Sequence, residues 1–299
     1  MGAGGVHGWL IIDKPHGISS ARAVALVRRS SGAGKIGHAG TLDPLATGIL
    51  PLALGEATKT MHFAAAGQKR YRFQVRWGEA RDTDDQEGAV TAQTSARPDA
   101  AAITAALASF TGTVQQRPPA YSAIKLAGRR AYALARAGEP PELAARPVEI
   151  AELRLISVPD PDHADFAAVV GGGTYIRALA RDLAEALGTL GYIAELRRLA
   201  VGRFTENNAI SLDCAVGLGH SLAASEHLLP LETALDDIPA FALTAEEAAR
   251  LRHGQLVTPQ EALDDLADGT IVGARLDQLL VAVVRIENGA LRPVRVINR

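Results

Sequence analysis

"GHAGTLDPLATGILPLALGEATK", residues 37–59, is the stretch on which the reading of this chain turns. It opens as a glycine-bounded loop and continues as "ILPLALG", which has the composition of a buried strand. Between the two stands one acidic side chain, Asp43, ahead of Pro44 and with His38 five residues upstream. Asp-Pro is a common helix N-cap and first-turn pair, so the dipeptide alone favours a cap. The surroundings favour something else. Gly37, Gly40 and Gly48 let the backbone approach a ligand closely, and the loop lies in the most basic third of the chain. A carboxylate that a substrate covers needs a cationic partner to stay ionised. Arg177 is the candidate, in the separate glycine-bounded turn "GGGTYIRALARDL", with Tyr175 two residues before it.

The whole chain limits what this loop can belong to. Its 299 residues suffice for one large domain plus a small one, or for two ordinary domains, and 47% hydrophobic content provides a sizeable core. Cys214 is the sole cysteine, which excludes an intrachain disulfide and a cysteine cluster for zinc. The opening "MGAGGVHGWLIIDKP" has no basic region followed by a long apolar run, and Val6 stands where a myristoylation motif wants Ser or Thr. "LLVAVV" at Leu279–Val284 is too short to span a bilayer. A soluble, cytoplasmic protein is expected. Net charge is only −2, but residues 1–81 carry +7 and residues 206–299 carry −7. That asymmetry fits a phosphate-facing N-terminal side, although charge blocks are also ordinary solvated faces.

Along the chain, "GWLIIDKP" reads as a buried strand and "GISSARAVALVRRSS" as a helix capped by Ser19 or Ser20. "RYRFQVRWG" alternates Tyr71, Phe73, Val75 and Trp77 against polar residues, the pattern of a strand with one buried face. "RPDAAAITAALASFTG" reads as a helix closed by Gly112, and residues 115–141 as a basic, proline-bounded insertion. Strands are expected at 148–157 and 165–170, and a helix in the run ending at Gly188. A new, strand-rich unit begins near residue 235.

Several motifs fail on context. "GAGKIG" at 32–37 matches a dinucleotide-binding pattern by letter, but no buried strand precedes it and no helix can follow at once. A nicotinamide-dependent enzyme is thereby disfavoured. "DTDDQEG" at 82–88 lacks the sixth-place glycine and twelfth-place glutamate of a calcium loop and reads as a solvated acidic turn. No H-E-x-x-H or G-x-S-x-G is present.

Taken together, the ordered motifs resemble the TruB family of bacterial tRNA pseudouridine-55 synthases. "GWLIIDKPHGISS", the catalytic-loop stretch 37–59, "KRYRFQVRWGEARDTDDQEG", "RPPAYSAIKLAGRRAYALARAGE", "GTYIRALARDL" and "LRRLAVGRF" carry the likeness over most of the chain. The resemblance implies an α+β fold: a pseudouridine synthase domain over 1–235 with a central mixed, largely antiparallel sheet, then a small PUA-like RNA-binding β domain over 236–299. It implies that Asp43 is the catalytic aspartate, Tyr71 the tyrosine that stacks on the target base, and Arg177 the partner of Asp43. His38 would help hold the flipped nucleotide, with Lys14, Tyr175 and Leu196 lining the pocket. The reaction would be isomerisation of uridine 55 in the tRNA T-loop, with no metal and no organic cofactor. The enzyme would act as a monomer on the T-stem-loop.

Lys125, Arg129 and Arg130 in the insertion, with Lys69, Arg70 and Lys14 near the pocket, are the candidates for the RNA backbone. Two departures stand out. Gly172-Gly173 replaces a lysine often found before "GTYIR", and Arg181-Asp182 replaces an acidic pair of some relatives. Neither falls on the positions assigned to chemistry. The covalent route stays open between attack at C6, attack at C1′ and a glycal intermediate. An RNA-binding or folding helper with secondary catalysis is the reading from a different class.

Overall fold

The computed structural model describes residues 5–126, 128–260, 263 and 266–298. Its strands and helices begin with β1 (Gly8–Lys14), α1 (Ser20–Ser31), β2 (Ile36–His38), β3 (Thr47–Leu54) and β4 (Lys69–Trp77). There follow α2 (Ala100–Leu107), β5 (Gly112–Gln116), β6 (Arg146–Asp160), β7 (His163–Val170), α3 (Ile176–Ala186) and β8 (Gly191–Val201). After β9 (Ala209–Ser211) and α4 (Leu212–Leu218), the chain ends in β10 (Ala240–Ala242), α5 (Ala245–Arg252), β11 (Ile271–Leu276), β12 (Leu279–Glu287) and β13 (Ala290–Val296).

One large sheet runs in the order β9-β1-β3-β8-β4-β7-β6-β5, with β2 paired to β3 at the side. The β1–β9 and β3–β8 pairings are parallel and the other pairings along this order antiparallel, so the sheet is mixed and largely antiparallel as expected. On β4 the expected alternation holds: Tyr71, Phe73, Val75 and Trp77 are buried while Arg70 and Arg72 are exposed. That buried face packs under α1, α2, α3 and α4 through Val27, Ile103, Leu179 and Leu212. Ser19 caps α1 as read from the sequence, its hydroxyl accepting from the Arg22 N–H. Gly112 does not close a helix. It opens β5, after a 3₁₀ turn at Ala108–Phe110.

The sheet's centre is β8, which no local pattern marked as a strand. Register shifts at Ile193/Glu195 and Arg198/Ala200 break its period-two alternation, so charged and apolar residues fall out of step. β8 pairs with β4 along nearly its whole length and touches β3 only at Arg197↔Thr47 and Arg198↔Gly48. The stretch 37–59 enters the sheet at that junction.

A separate four-stranded sheet, β10-β11-β12-β13, closes the chain. Leu280 and Val283 on β12 and Ile297 pack against Trp9, Ile11, Ile49 and Phe204 on the second face of the large sheet.

Candidate active site

Asp43 caps no helix. Residues 41–43 have no regular structure, and the Asp43 carbonyl accepts from the Ala46 N–H at 3.1 Å, closing a turn just before β3. Its carboxylate is free to face the Arg177 guanidinium, whose Nε donates to Asp43 Oδ2 at 2.9 Å. The Arg177 side chain is only 5% exposed and that of Asp43 36%. A buried guanidinium is tolerated only when its donors are paired. Nη1 donates to the Thr83 carbonyl at 2.6 Å, Nη2 to the Tyr121 carbonyl at 2.8 Å, and Asp85 Oδ2 lies 3.6 Å from Nε. Arg177 thus joins four pieces of chain: α3, the Asp43 turn, the acidic turn 82–88 and the start of the insertion.

The acidic turn is therefore not the solvated loop expected from its composition. Asp85 is 3% exposed, and its Oδ1 accepts from Thr83 Oγ1 at 2.6 Å and the Glu87 N–H at 3.0 Å. Burial pushes the Asp85 carboxyl up, opposed by Thr83 and Arg177. Asp84 is pushed up to about 6 by burial, against the pull of Arg181 and Arg177. Four acidic residues in seven were the visible signal. What the signal lacked was the arginines they meet, nearly a hundred residues away.

Tyr175 precedes α3 without a side-chain cap of its own. Gln116, at the end of β5, supplies the pairing: its Oε1 accepts from the Tyr175 N–H at 2.8 Å and its Nε2 donates to the Tyr175 carbonyl at 3.1 Å. A basic side chain from another strand meets the Gly172-Gly173 turn. Arg146 on β6 donates to the Gly173 carbonyl at 2.8 Å and lies 5.6 Å from the Tyr175 ring centroid.

Lys14 and Lys69 require correction. Lys14 is wholly buried, its ammonium donating to the carbonyls of Ile18 (2.7 Å), Pro15 (2.9 Å) and Pro44 (3.3 Å). It supports the Asp43 turn from below and has no surface for a phosphate. Lys69, also buried, donates to the Ala65 and Gly67 carbonyls at 2.6 and 2.9 Å. Burial pushes both ammoniums down to about 8, with the nearby charge of Arg198 adding to the effect. Arg198, which the sequence did not single out, is 1% exposed and donates to the carbonyls of Ile49 (2.8 Å), Gly40 (3.0 Å) and Thr41 (3.2 Å). It clamps the loop on both sides of its exit from the sheet.

His38 ends β2, opposite Leu52. Burial and the charge of Arg198 lower its pKa, which keeps the ring neutral, and Nδ1 is buried with no hydrogen bond among the described residues. Tyr71 and Leu196 sit 7% and 8% exposed in the cluster that also holds Leu42 and Leu45 of the loop. Leu196, unlike Tyr71, lines a cleft of about 690 Å³, together with His16, Leu45, Thr47 and Arg72 among others. Its wall is formed mostly by β4 and β8, with Leu45 and Thr47 from the segment after Asp43, and does not include Asp43 itself.

Arg70 is exposed on β4. Lys125, Arg129 and Arg130 lie exposed on a two-stranded hairpin in which Lys125 faces Arg130. The charge of Arg130 adds weakly to the lowering of the His38 pKa.

Comparison with known proteins identifies the family of the chain. Residues 28–176 match the family described as TruB family pseudouridylate synthase (N terminal domain), and residues 177–236 match the tRNA pseudouridylate synthase B C-terminal domain. A Rhodospirillum rubrum protein named tRNA pseudouridine synthase B is 53% identical, over 98% of this chain and 97% of its own. One of the same name from Caulobacter sp. is 49% identical, over 97% and 96%. Among solved structures, a Cbf5-Nop10-Gar1 complex superposes with a TM-score of 0.74 at 23% identity, covering 98% of this chain and 84% of that one. A box H/ACA ribonucleoprotein bound to a substrate RNA containing 2′-deoxyuridine gives 0.74 at 22%, covering 98% and 86%. These two likenesses establish the shared fold. With the sequence matches running almost end to end, the chain belongs to the TruB family of pseudouridylate synthases.

Proposed function

We propose that this chain isomerises uridine 55 in the T-loop of tRNA to pseudouridine, with Asp43 as the nucleophile. The observation that carries the reading is the Asp43–Arg177 pair at 2.9 Å, a partly exposed carboxylate held by a buried guanidinium whose other two nitrogens donate to the Thr83 and Tyr121 carbonyls. The reaction breaks the N1–C1′ bond, turns the uracil and joins C5 to C1′. A carboxylate serves each route to that outcome as nucleophile or base, and the Arg177 guanidinium fixes its orientation.

The base must leave its stack first, which costs a few kcal/mol. Stacking on Tyr71 returns ~1–3 kcal/mol, and Leu196 adds apolar contact. Neutral His38 can lie against a displaced nucleotide without introducing a charge into the pocket. Tyr175, two residues before Arg177 and clasped by Gln116, is assigned to the pocket wall. Arg70, Lys125, Arg129 and Arg130 are the exposed cations for the RNA backbone, which sets position rather than base identity. With only 4% aromatic residues, capture of one base in a shaped RNA fits better than an extended stacking platform. The sheet after residue 236 is assigned as a PUA-like RNA-binding domain, and the enzyme as a cytoplasmic monomer.

Tritium release from an unmodified tRNA transcript labelled at C5 of uridine tests the reading. Wild type should release tritium, and replacing the T-loop uridine by cytidine should stop it. Asp43→Asn should release none while binding tRNA with near-normal affinity. Tight binding without release by wild type would favour the folding-helper reading instead.

A further inference from the structure

Arg181 follows Arg177 by four residues on α3, so the two guanidiniums leave the same face of the helix. Arg181 Nη1 donates to Asp84 Oδ2 at 2.9 Å, and Nη2 donates to the Arg117 carbonyl at 2.7 Å. Nη2 also reaches Asp182 Oδ1 at 2.8 Å. The Arg181 and Asp84 side chains are mostly buried, at 18% and 14% exposed.

Asp84 is the corner of the acidic turn. Its φ of 59° lies in the left-handed region, which few residues other than glycine adopt unless the surroundings impose it. Its N–H donates to the Arg81 carbonyl, and its carbonyl accepts from the Ile193 N–H on β8 at 3.1 Å. The two residues flanking this corner are those that meet Arg177: Thr83 through its carbonyl and Asp85 through its carboxylate. Arg117 and Tyr121, whose carbonyls receive the two guanidiniums, begin the insertion.

We infer that Arg181 is a positioning residue for the isomerisation: by pinning Asp84 it holds Thr83 and Asp85 where they orient Arg177 toward Asp43. The inference rests on the catalytic reading of Asp43 given above. Arg181 acts at one remove and touches neither Asp43 nor the space beside it. Its effect therefore belongs to turnover rather than to RNA affinity.

Single-turnover tritium release at saturating enzyme, tRNA affinity and the thermal midpoint are measured on Arg181→Gln, Asp84→Asn and the double variant. Asparagine tolerates the left-handed corner, so Asp84→Asn removes the charge and keeps the backbone preference. Each single change should slow release about tenfold, with the dissociation constant within about twofold, as for loss of an interaction made in the transition state. The double variant should be no slower than the slower single one, because both remove one link. Arg181→Lys should recover part of the rate. Unchanged release in both single variants beside an active wild type overturns the inference. So does a rate loss that tracks a lowered midpoint and vanishes on cooling, since that marks a purely structural pair. An inactive wild type overturns the reading of Asp43 itself, and this role with it.

Discussion

At Asp43 the structure sets a carboxylate that water reaches against a guanidinium that water does not. The asymmetry matters chemically. Arg177 cannot turn away, because its three nitrogens already meet Asp43, Thr83 and Tyr121, so the carboxylate is aimed before any substrate arrives. Lysine keeps the charge but not the planar fork. Arg177→Lys should therefore lower single-turnover release at least about 100-fold, the range seen when one preorganised charge-stabilising donor is removed. A loss under about tenfold would show that charge alone suffices. Lys69 gives a different test. An unfolded lysine titrates near 10.4, whereas burial holds Lys69 at about 8. Between those values the unfolded chain binds more protons than the folded one, so this group's contribution to stability rises with pH across that window. The unfolding free energy of wild type minus that of Lys69→Met should move in favour of wild type by up to about 3 kcal/mol from pH 7.5 to 10.5. Urea midpoints measure it, and a flat difference would mean the ammonium is hydrated.

Elements matter here through where they meet. The Asp43 turn enters β3 beside β8 at Gly48, whose φ is +98°, and a Cβ there would lie 2.1 Å from the Arg198 carbonyl oxygen. That oxygen is backbone and cannot move aside without breaking the β3–β8 pairing. Gly48→Ala should cost more than about 3 kcal/mol, the scale of a main-chain clash added to left-handed strain. Thermal or urea unfolding checks this, and a loss under about 1 kcal/mol would show the junction to be pliable. The element reading from sequence succeeded where the local pattern was clean, as in the apolar run of β1, the capped helix α1 and the alternation of β4. It missed β8, whose two bulges scramble the alternation, and it misread the acidic turn. Charge composition carries no information about a partner on a distant helix.

For the whole molecule, the apolar second face of the large sheet decides how far the C-terminal part is separable. Trp9 and Ile11 on β1 and Ile49 on β3 are wholly buried, partly beneath Leu280, Val283 and Ile297. Polar contacts add to the joint: Lys59 Nζ donates to the Val296 carbonyl at 2.8 Å, and Glu56 Oε2 accepts from the Asn298 N–H at 2.7 Å. Ending the chain after residue 236 should do more than weaken RNA binding. It should lower the thermal midpoint by more than about 5 °C and expose a dye-binding apolar patch, since contiguous exposed apolar patches of this kind are rare on monomers. An unchanged midpoint would mean the closing sheet is a detachable module.

The order of motifs, the lone aspartate in a glycine-rich loop, the strand alternation of β4 and the helix with Arg177 were all readable from the sequence. Each depends on local spacing or on a residue's own chemistry, and these survive any fold. Tertiary structure alone decided which cations stand exposed and which are spent inside. Lys14, Lys69 and Arg198 are as basic as Arg70 in the sequence, yet their charges end on backbone carbonyls beneath the loop. It also decided that Asp85 and Asp84 meet the arginines of α3. Burial and pairing depend on which distant segments share a boundary, and β8, the strand that draws those segments together, has no local signature.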